Sequence, residues 1–244
     1  MTDAVLARSR SVWPVLLATA LGVALMAGLG VWQLQRLHWK EGVVAQIEAR
    51  SRAAPAPVPP EADWPRLQPG EYEYRHVAAS GAYEPQDALV FRGAGPNAPA
   101  GEGPGYLVVT PLRLDSGGIV LVNRGFVPLA QADQARAKPE GRVEVTGLMR
   151  GAEPRNAFTP ADQPDKGVWY TRDPASVAAG LGLAGVAPFT IDADARPGER
   201  GWPRPGATQL DIPNNHLSYA LTWFGLAASL VSVAAAYLLR LRRA

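Results

Sequence analysis

Two long apolar segments lie near the two ends of the chain. Residues Val15 to Leu34 are apolar apart from Thr19 and Gln33, and Leu217 to Leu239 carries no charged side chain. A helix of the second length spans about 35 Å at about 1.5 Å per residue, which is enough to cross the hydrocarbon core of a bilayer. The pattern therefore predicts transmembrane helices at 12–35 and 214–239.

The region between these segments has a different pattern, in which short runs of Val, Tyr, Phe and Thr are separated by Gly, Pro and Asp. Such runs are typical of strands joined by turns. Asp115 to Gly118 predicts a hairpin turn, and Asp173 followed by Pro174 predicts the start of a short helix. The Gly- and Pro-rich stretch 93–105 predicts a loop. We expect a small domain over 67–213 that is antiparallel and mostly β, with one or two helices.

The residues that join the first apolar segment to this domain divide into two parts. HWKEGVVAQIEARSR continues a helical pattern, and five prolines between Pro55 and Pro65 then break it. Proline-rich segments are stiff and extended. We therefore predict a helical extension followed by a proline-rich linker over 36–66. The predicted fold class is an α+β membrane protein, in which two transmembrane helices flank an antiparallel β-rich extracytoplasmic domain.

The first apolar segment could instead be a cleaved signal peptide. Its apolar run is longer than the ~7–15 residues usual for such peptides, and it ends in GVWQLQRLHWK rather than in a small-residue cleavage site. The pattern favours an uncleaved anchor.

Basic residues in the short terminal tails 1–11 and 240–244 indicate the orientation. These residues are Arg8, Arg10, Arg240, Arg242 and Arg243. Positive charge in short flanking segments stays in the cytoplasm, so both termini are predicted to be cytoplasmic and the central domain periplasmic. Arg36 and Lys40, at the other end of the first helix, oppose this orientation, and the C-terminal cluster outweighs them.

The composition excludes several kinds of chemistry. The chain has no cysteine, which rules out disulfides, thiolate metal sites and cysteine nucleophiles. Its 24 basic and 22 acidic residues contain no basic run that suggests nucleic acid. Asp87, Asp192 and Asp194 are conceivable catalytic acids, but no motif pairs them with a nucleophile or a base. We therefore predict that the protein is not an enzyme.

The chain has three histidines, and two of them, His38 and His216, lie at the outer ends of the predicted membrane helices. Tyr219 and Trp223 follow His216 at +3 and +7 and share its helical face. Asn214 and Asn215 precede it and can cap the first turn of the helix. The third histidine, His76, lies in a predicted strand, where we expect a hydrogen-bonded, half-buried side chain.

Trp32, Arg36 and Trp39 lie on one face of the first helix. An arginine between two tryptophans could hold a carboxylate over an aromatic wall, although such residues are also ordinary interfacial anchors. Both helices carry small residues at every fourth position, which predicts close packing. They are Ala20, Ala24 and Gly28 in the first helix and Ala228, Ser232 and Ala236 in the second. Antiparallel pairing would bring His216 to the tryptophan–arginine stripe, where haem, an amphipathic molecule with carboxylates, would fit.

Several blocks in order resemble the surfeit locus protein 1 family. They are GVWQLQRLHWK, VVTPLRL, GIVLVNRGFVP, VTGLMRGAEPRNAFTP, VWYTRDPASVAAGLG and PNNHLSYALTWFGLA. The family often has an acidic turn where this chain has GAYEPQDALVFRGAG, so no role for that turn is transferred.

The resemblance implies an assembly factor for haem–copper cytochrome c oxidase in a bacterial inner membrane. It implies that haem a binds at His216 for delivery, with cytochrome c oxidase subunit I and haem a synthase as partners besides the lipid bilayer. The alternative is a haem-free scaffold, in which Arg124 contacts a partner or only a surface carboxylate. The sequence leaves open whether the helices pair within one chain or across a homo-oligomer.

Overall fold

The computed structural model describes residues 12–93, 103–136, 138–195, 198, 201–206 and 214–243. The chain divides into two compact units, residues 46–210 and a second unit made of 1–45 with 211–244. The predicted tail 1–11 and most of the loop 93–105 lie outside the described residues.

Two helices, α1 (Trp13–Arg52) and α4 (His216–Arg243), form the unit that contains both chain ends. Both are long and apolar enough to cross a membrane. The predicted helical extension is present, because α1 continues without a break to Arg52. Arg240, Arg242 and Arg243 form the last turn of α4, where positive charge also favours the helix dipole.

The two helices are antiparallel and pack closely at two glycines. A methyl group added at Gly22 would lie 2.8 Å from the Leu230 side chain, and one added at Gly30 would lie 2.7 Å from the Phe224 ring. Ala220 and Ala227 of α4 are buried, as is Gly30 of α1. The small side chains let the two backbones approach each other.

The small residues that the sequence predicted at this contact are on other faces. Ala20, Ala24 and Gly28 are exposed, and so are Ala228, Ser232 and Ala236. That part of the prediction is wrong. Many small residues occur in both helices, and only the fit of large side chains such as Phe224 and Leu230 selects which of them face the partner helix.

Within the described residues of the unit 46–210, eight strands form one sheet. They are β1 (Ala56–Pro57), β2 (His76–Tyr83), β3 (Ala88–Arg92), β4 (Gly105–Leu114), β5 (Ile119–Pro128), β6 (Arg142–Arg150), β7 (Val168–Trp169) and β8 (Val186–Ala193). The order is β1-β2-β6-β8-β5-β4-β3-β7, and β2 also pairs with β4. This last pairing closes five strands, β2, β6, β8, β5 and β4, into a barrel.

The sheet is mixed rather than antiparallel as predicted. Strand β5 pairs in parallel with β8, β3 with β7, and β1 with β2, while the other pairs are antiparallel. The antiparallel prediction holds for the hairpin of β4 and β5, which turns at Asp115–Gly118. The three parallel pairs all join strands separated by long connections, in which no local turn sets the direction of the second strand.

The barrel interior is filled by alternate residues of its strands, such as Val120 and Val122 of β5 and Phe189 and Ile191 of β8. Trp64 also belongs to this core, with its ring edge-on to Phe189 at 6.1 Å. Trp64 lies in a 3-10 helix (Glu61–Arg66) within the segment interpreted as a linker, and β1 lies in the same segment. The proline-rich stretch thus contributes both a strand and a core residue to the unit.

Two short α-helices also lie in the described part of this unit, α2 (Pro69–Tyr72) and α3 (Pro174–Leu181). The predicted start of α3 is confirmed, because the Asp173 side chain accepts a hydrogen bond from the Ala175 amide and Pro174 occupies the first turn. Helix α3 packs beside a second cluster, which includes Trp169, Phe126 and Val177.

Candidate functional site

His216 is the first residue of α4, and its side chain is held by α1. Its Nδ1 lies 2.7 Å from Oε1 of Gln33, 183 residues earlier in the chain. A carboxamide oxygen only accepts hydrogen bonds, so Nδ1 donates and carries the ring proton. When the imidazole is neutral, the lone pair therefore lies on Nε2, which makes no hydrogen bond to the described part of the chain. That is the form in which histidine binds a metal.

The two asparagines before His216 act mainly at the start of the helix. The Asn214 side-chain oxygen lies 3.5 Å from the His216 amide, and the Asn215 carbonyl accepts from the Tyr219 amide at 3.2 Å. Asn215, one of the predicted cofactor-binding residues, therefore contributes to the first turn of α4 through its main chain.

Trp32, Arg36 and Trp39 share an exposed face of α1, as predicted. The Arg36 guanidinium stacks on the Trp39 ring with 3.9 Å between its carbon and the ring centre. Among the described residues, no hydrogen bond, ion pair or ring contact joins this stripe to His216. The stripe lies beside the face of α1 that carries Gln33 rather than on it.

The aromatic residues of α4 that the sequence placed beside His216 differ in exposure. Trp223 is half-buried, whereas Tyr219 is exposed. A half-buried imidazole with a free Nε2 therefore lies in the same unit as an exposed arginine–tryptophan stack. Imidazole, guanidinium and indole groups can bind iron, carboxylates and a planar ring, respectively.

The donor set restricts which metal group could bind. No group of three or more His, Asp or Glu side chains within the described ranges is placed to hold a bare metal ion. A single histidine suffices when the macrocycle supplies the other ligands of the iron, as in haem. The residues present fit haem better than a metal ion held by the protein alone.

The other two histidines have different surroundings. Nδ1 of the exposed His38 lies 2.8 Å from the Leu34 carbonyl of the same helix. His76 is hydrogen-bonded as predicted, through Nε2 to Asp194 at 2.7 Å and through Nδ1 to the Ala53 carbonyl at 2.8 Å. Burial by itself would lower the pKa of His76, but the two hydrogen bonds and the Asp194 charge raise it above its ordinary value.

Arg124 lies within strand β5 and is buried rather than on the surface. Its Nε donates to Thr110 and its Nη2 to the Ala135 carbonyl, both at 2.7 Å, and Asp87 lies 3.5 Å away. Burial lowers the pKa of Arg124, although the charge of Asp87 opposes the shift. These are internal contacts, and partner binding by Arg124 stays a prediction.

The VNRG sequence around Arg124 has a structural explanation. The Asn123 side chain donates to Asp192 and accepts from the Gly125 amide, at 2.9 and 3.1 Å. Gly125 has a φ of 127°, and a side chain there would clash with the Arg204 backbone. The Arg204 backbone forms an antiparallel β-bridge with Phe126. The register of β4 and β5 shifts at this point. Asn123, Arg124 and Gly125 therefore build a bulge that ties β5 to several neighbouring segments.

The three aspartates considered as catalytic acids all have partners. Asp87 accepts from Thr110 at 2.5 Å and lies 3.3 Å from Lys138, and Asp194 binds His76. Asp192 binds Arg172 through both oxygens, at 2.8 and 3.0 Å. Each carboxylate is thus held by basic or hydroxyl groups of the fold.

Gln33 is the site residue that the sequence analysis missed. The signal that could have found it is its polarity, since it is one of two polar side chains in the apolar segment Val15 to Leu34. A polar side chain in a membrane helix usually faces a hydrogen-bonding partner.

A family sequence model and individual known proteins both match most of the chain, and they point to the same family. The sequence model of the SURF1 family matches residues 20–228. The chain is 35% identical to Surfeit locus protein 1 of Homo sapiens over 217 residues, which cover 83% of this chain and 70% of that relative. It is 36% identical to the SURF1-like protein of Monosiga brevicollis, with 82% and 78% covered, and 32% identical to Surfeit locus protein 1 of Takifugu rubripes, with 83% and 88% covered. The matched residues 20–228 include the barrel, most of α1 and the first part of α4.

Proposed function

The chain belongs to the SURF1 family, and on this premise we propose that it is an assembly factor for haem–copper cytochrome c oxidase. It binds haem a through His216 and aids transfer of the cofactor to the catalytic subunit. The protein does no chemistry on the haem. One axial histidine gives a bond that can be released, as delivery requires.

The observation that carries this proposal is the hydrogen bond between His216 Nδ1 and Gln33 Oε1 at 2.7 Å. In the neutral imidazole it leaves Nε2 as the lone-pair nitrogen. Arg36, stacked on Trp39, is an exposed cation in the same unit and suits a haem propionate. Trp32 and Trp223 offer apolar surface to the macrocycle, and Tyr219 a further hydrogen-bonding group.

The proposed location is a bacterial inner membrane, with both termini in the cytoplasm and the barrel unit in the periplasm. The length and composition of α1 and α4 support membrane association. The packing of Gly22 and Gly30 against α4 favours an anchor that is retained rather than cleaved. Subunit I of the oxidase and haem a synthase are the proposed partners, and a homo-oligomer is possible within this proposal.

The test is haem content after co-expression with the haem a pathway. Wild type is expected to purify with a Soret band, and His216→Ala to lose it while still inserting in the membrane. His38→Ala is the matched control, because it removes the other histidine near the end of a membrane helix. Equal haem in wild type and His216→Ala would contradict the proposal.

One observation favours the second candidate, a haem-free scaffold that binds an oxidase subunit. Phe158 is 94% exposed on an ordered turn, where its amide donates to Asn156 and Asn156 donates to Thr159. Exposed aromatic side chains on rigid loops are typical of binding hot spots. For a scaffold, Phe158→Ala would lower oxidase assembly, whereas Leu129→Ala, at another exposed apolar residue of the barrel unit, would not.

A further inference from the structure

Gln33 and His216 are a pair of polar side chains at the contact between the two apolar helices. Their hydrogen bond joins α1 to α4. Buried Gly30 lies three residues before Gln33, and buried Ala220 lies four residues after His216, so the tightest part of the helix contact is one turn away. The short side chains at these positions allow Gln33 to reach the imidazole.

We infer that Gln33 is a positioning residue that holds His216 in the Nδ1–H tautomer and so directs the Nε2 lone pair to an iron atom. The inference rests on the proposed function. Neutral imidazole side chains in water favour the opposite tautomer, in which Nε2 carries the proton and only Nδ1 has a lone pair for a metal. A hydrogen-bond acceptor at Nδ1 fixes the tautomer and the ring orientation and raises the basicity of the ligand.

The side chain at position 33 must accept a hydrogen bond without displacing α1. Glutamine provides a neutral acceptor, and glutamate would provide a charged one of the same length. Leucine has a similar volume and no acceptor. Gln35, two residues further on, is exposed and therefore supplies the matched control for changes to the helix.

The first experiment measures the tautomer in the haem-free, full-length protein. Because the chain has three histidines, ¹⁵N-histidine labelling gives a small set of ring signals that the His38→Gln and His76→Gln variants assign. We expect the Nδ1–H tautomer for His216 in wild type, in Gln33→Glu and in Gln35→Leu. We expect a shift towards Nε2–H in Gln33→Leu. An Nε2–H tautomer in wild type would overturn the inference, whether or not the protein binds haem.

The second experiment titrates ferric haem into the same solubilised proteins. Loss of the hydrogen-bond partner of a metal-binding histidine typically lowers metal affinity about 10–100-fold. We expect a fall of this size in haem affinity for Gln33→Leu but not for Gln35→Leu. In the ferrous form, the iron–histidine stretching frequency should fall in Gln33→Leu and rise in Gln33→Glu. Unchanged affinity and frequency in Gln33→Leu, with haem lost in His216→Ala, would overturn the role of Gln33 and leave the proposed function intact. Undiminished haem binding in His216→Ala would overturn the proposed function and the ligand role together.

Discussion

At the scale of single residues, buried charged side chains stabilise the barrel unit. Arg172 and Asp192 are almost fully buried, and Arg172 also lies 3.4 Å from Glu153. Burial by itself would raise the pKa of Glu153, but Arg172 and Arg92 lower it below its ordinary value. A low carboxylate pKa stabilises the fold above about pH 4.3, and that contribution is lost as the pH falls through the folded-state value.

Asp192→Asn is expected to destabilise the barrel unit strongly, because it removes the buried carboxylate that binds Arg172 through both oxygens. Breaking a buried ion pair on one side typically costs about 3–5 kcal/mol. Chemical denaturation followed by tryptophan fluorescence measures the loss. Asp115→Asn is the control, since its pair with Arg142 is exposed and should contribute less than about 1 kcal/mol. Equal losses in the two variants would contradict the buried-pair argument.

His76 should make the free energy of unfolding depend on pH in the direction opposite to that expected from Glu153. Both ring nitrogens face acceptors, and the pKa of His76 is raised, so the charged form stabilises the fold. This contribution is full below about pH 6.5, the unfolded value, and is lost as the pH rises through the folded value. In His76→Gln the unfolding midpoint should vary less with pH over this range. His38→Gln should keep the wild-type slope, and the same flattening in both variants would show that His76 is not the cause.

At the scale of elements, the helix contact depends on which glycines of α1 face α4. At Gly30 a side chain would enter the space of the Phe224 ring, whereas at Gly28 nothing lies within 4 Å. Shape complementarity at such points drives helix association in membranes. The face of α1 that carries Gly30 is therefore the one that sets the separation between the helices.

Gly30→Leu is expected to weaken the pairing of α1 with α4 and, through it, the Gln33–His216 hydrogen bond. Thermal unfolding of the helices in detergent should begin at a lower temperature, and haem affinity should fall together with it. Gly28→Leu should leave both quantities near the wild-type values. If Gly28→Leu had the larger effect, the predicted small-residue stripe, rather than the observed face, would be the contact.

At the scale of the whole molecule, the barrel unit carries its own core. Its interior cluster, including Trp64 and Phe189, comes entirely from residues between 46 and 210. The fragment 46–210 is therefore expected to fold alone and to unfold in one cooperative transition.

A fragment that starts at the boundary predicted from sequence, 67–210, should be much less stable. It lacks β1 and Trp64, and loss of a large buried aromatic side chain typically costs about 3–5 kcal/mol. Circular dichroism and denaturant titration of the two fragments compare them directly. Equal stability of both fragments would mean that the proline-rich segment is only a linker.

The sequence by itself determined what depends on neighbouring residues. The length and apolarity of the two helices, the Asp115–Gly118 hairpin and the Asp173 cap all follow from local patterns, because each is set by contacts within a few residues. The sequence blocks that resemble the SURF1 family lie in order along the chain, so the family could also be identified from the sequence. His216 could be identified as a candidate ligand from its place at a helix end.

Only the tertiary structure decided what depends on distant residues. The closure of the barrel by β2 and β4, the parallel pairing of β5 with β8 and the choice of helix face at Gly30 are set by how large side chains fit together, which no local pattern specifies. The same holds for Gln33, whose partner is 183 residues away. A hydrogen bond between two helices exists only once both are packed, so the tautomer of His216 is a property of the fold.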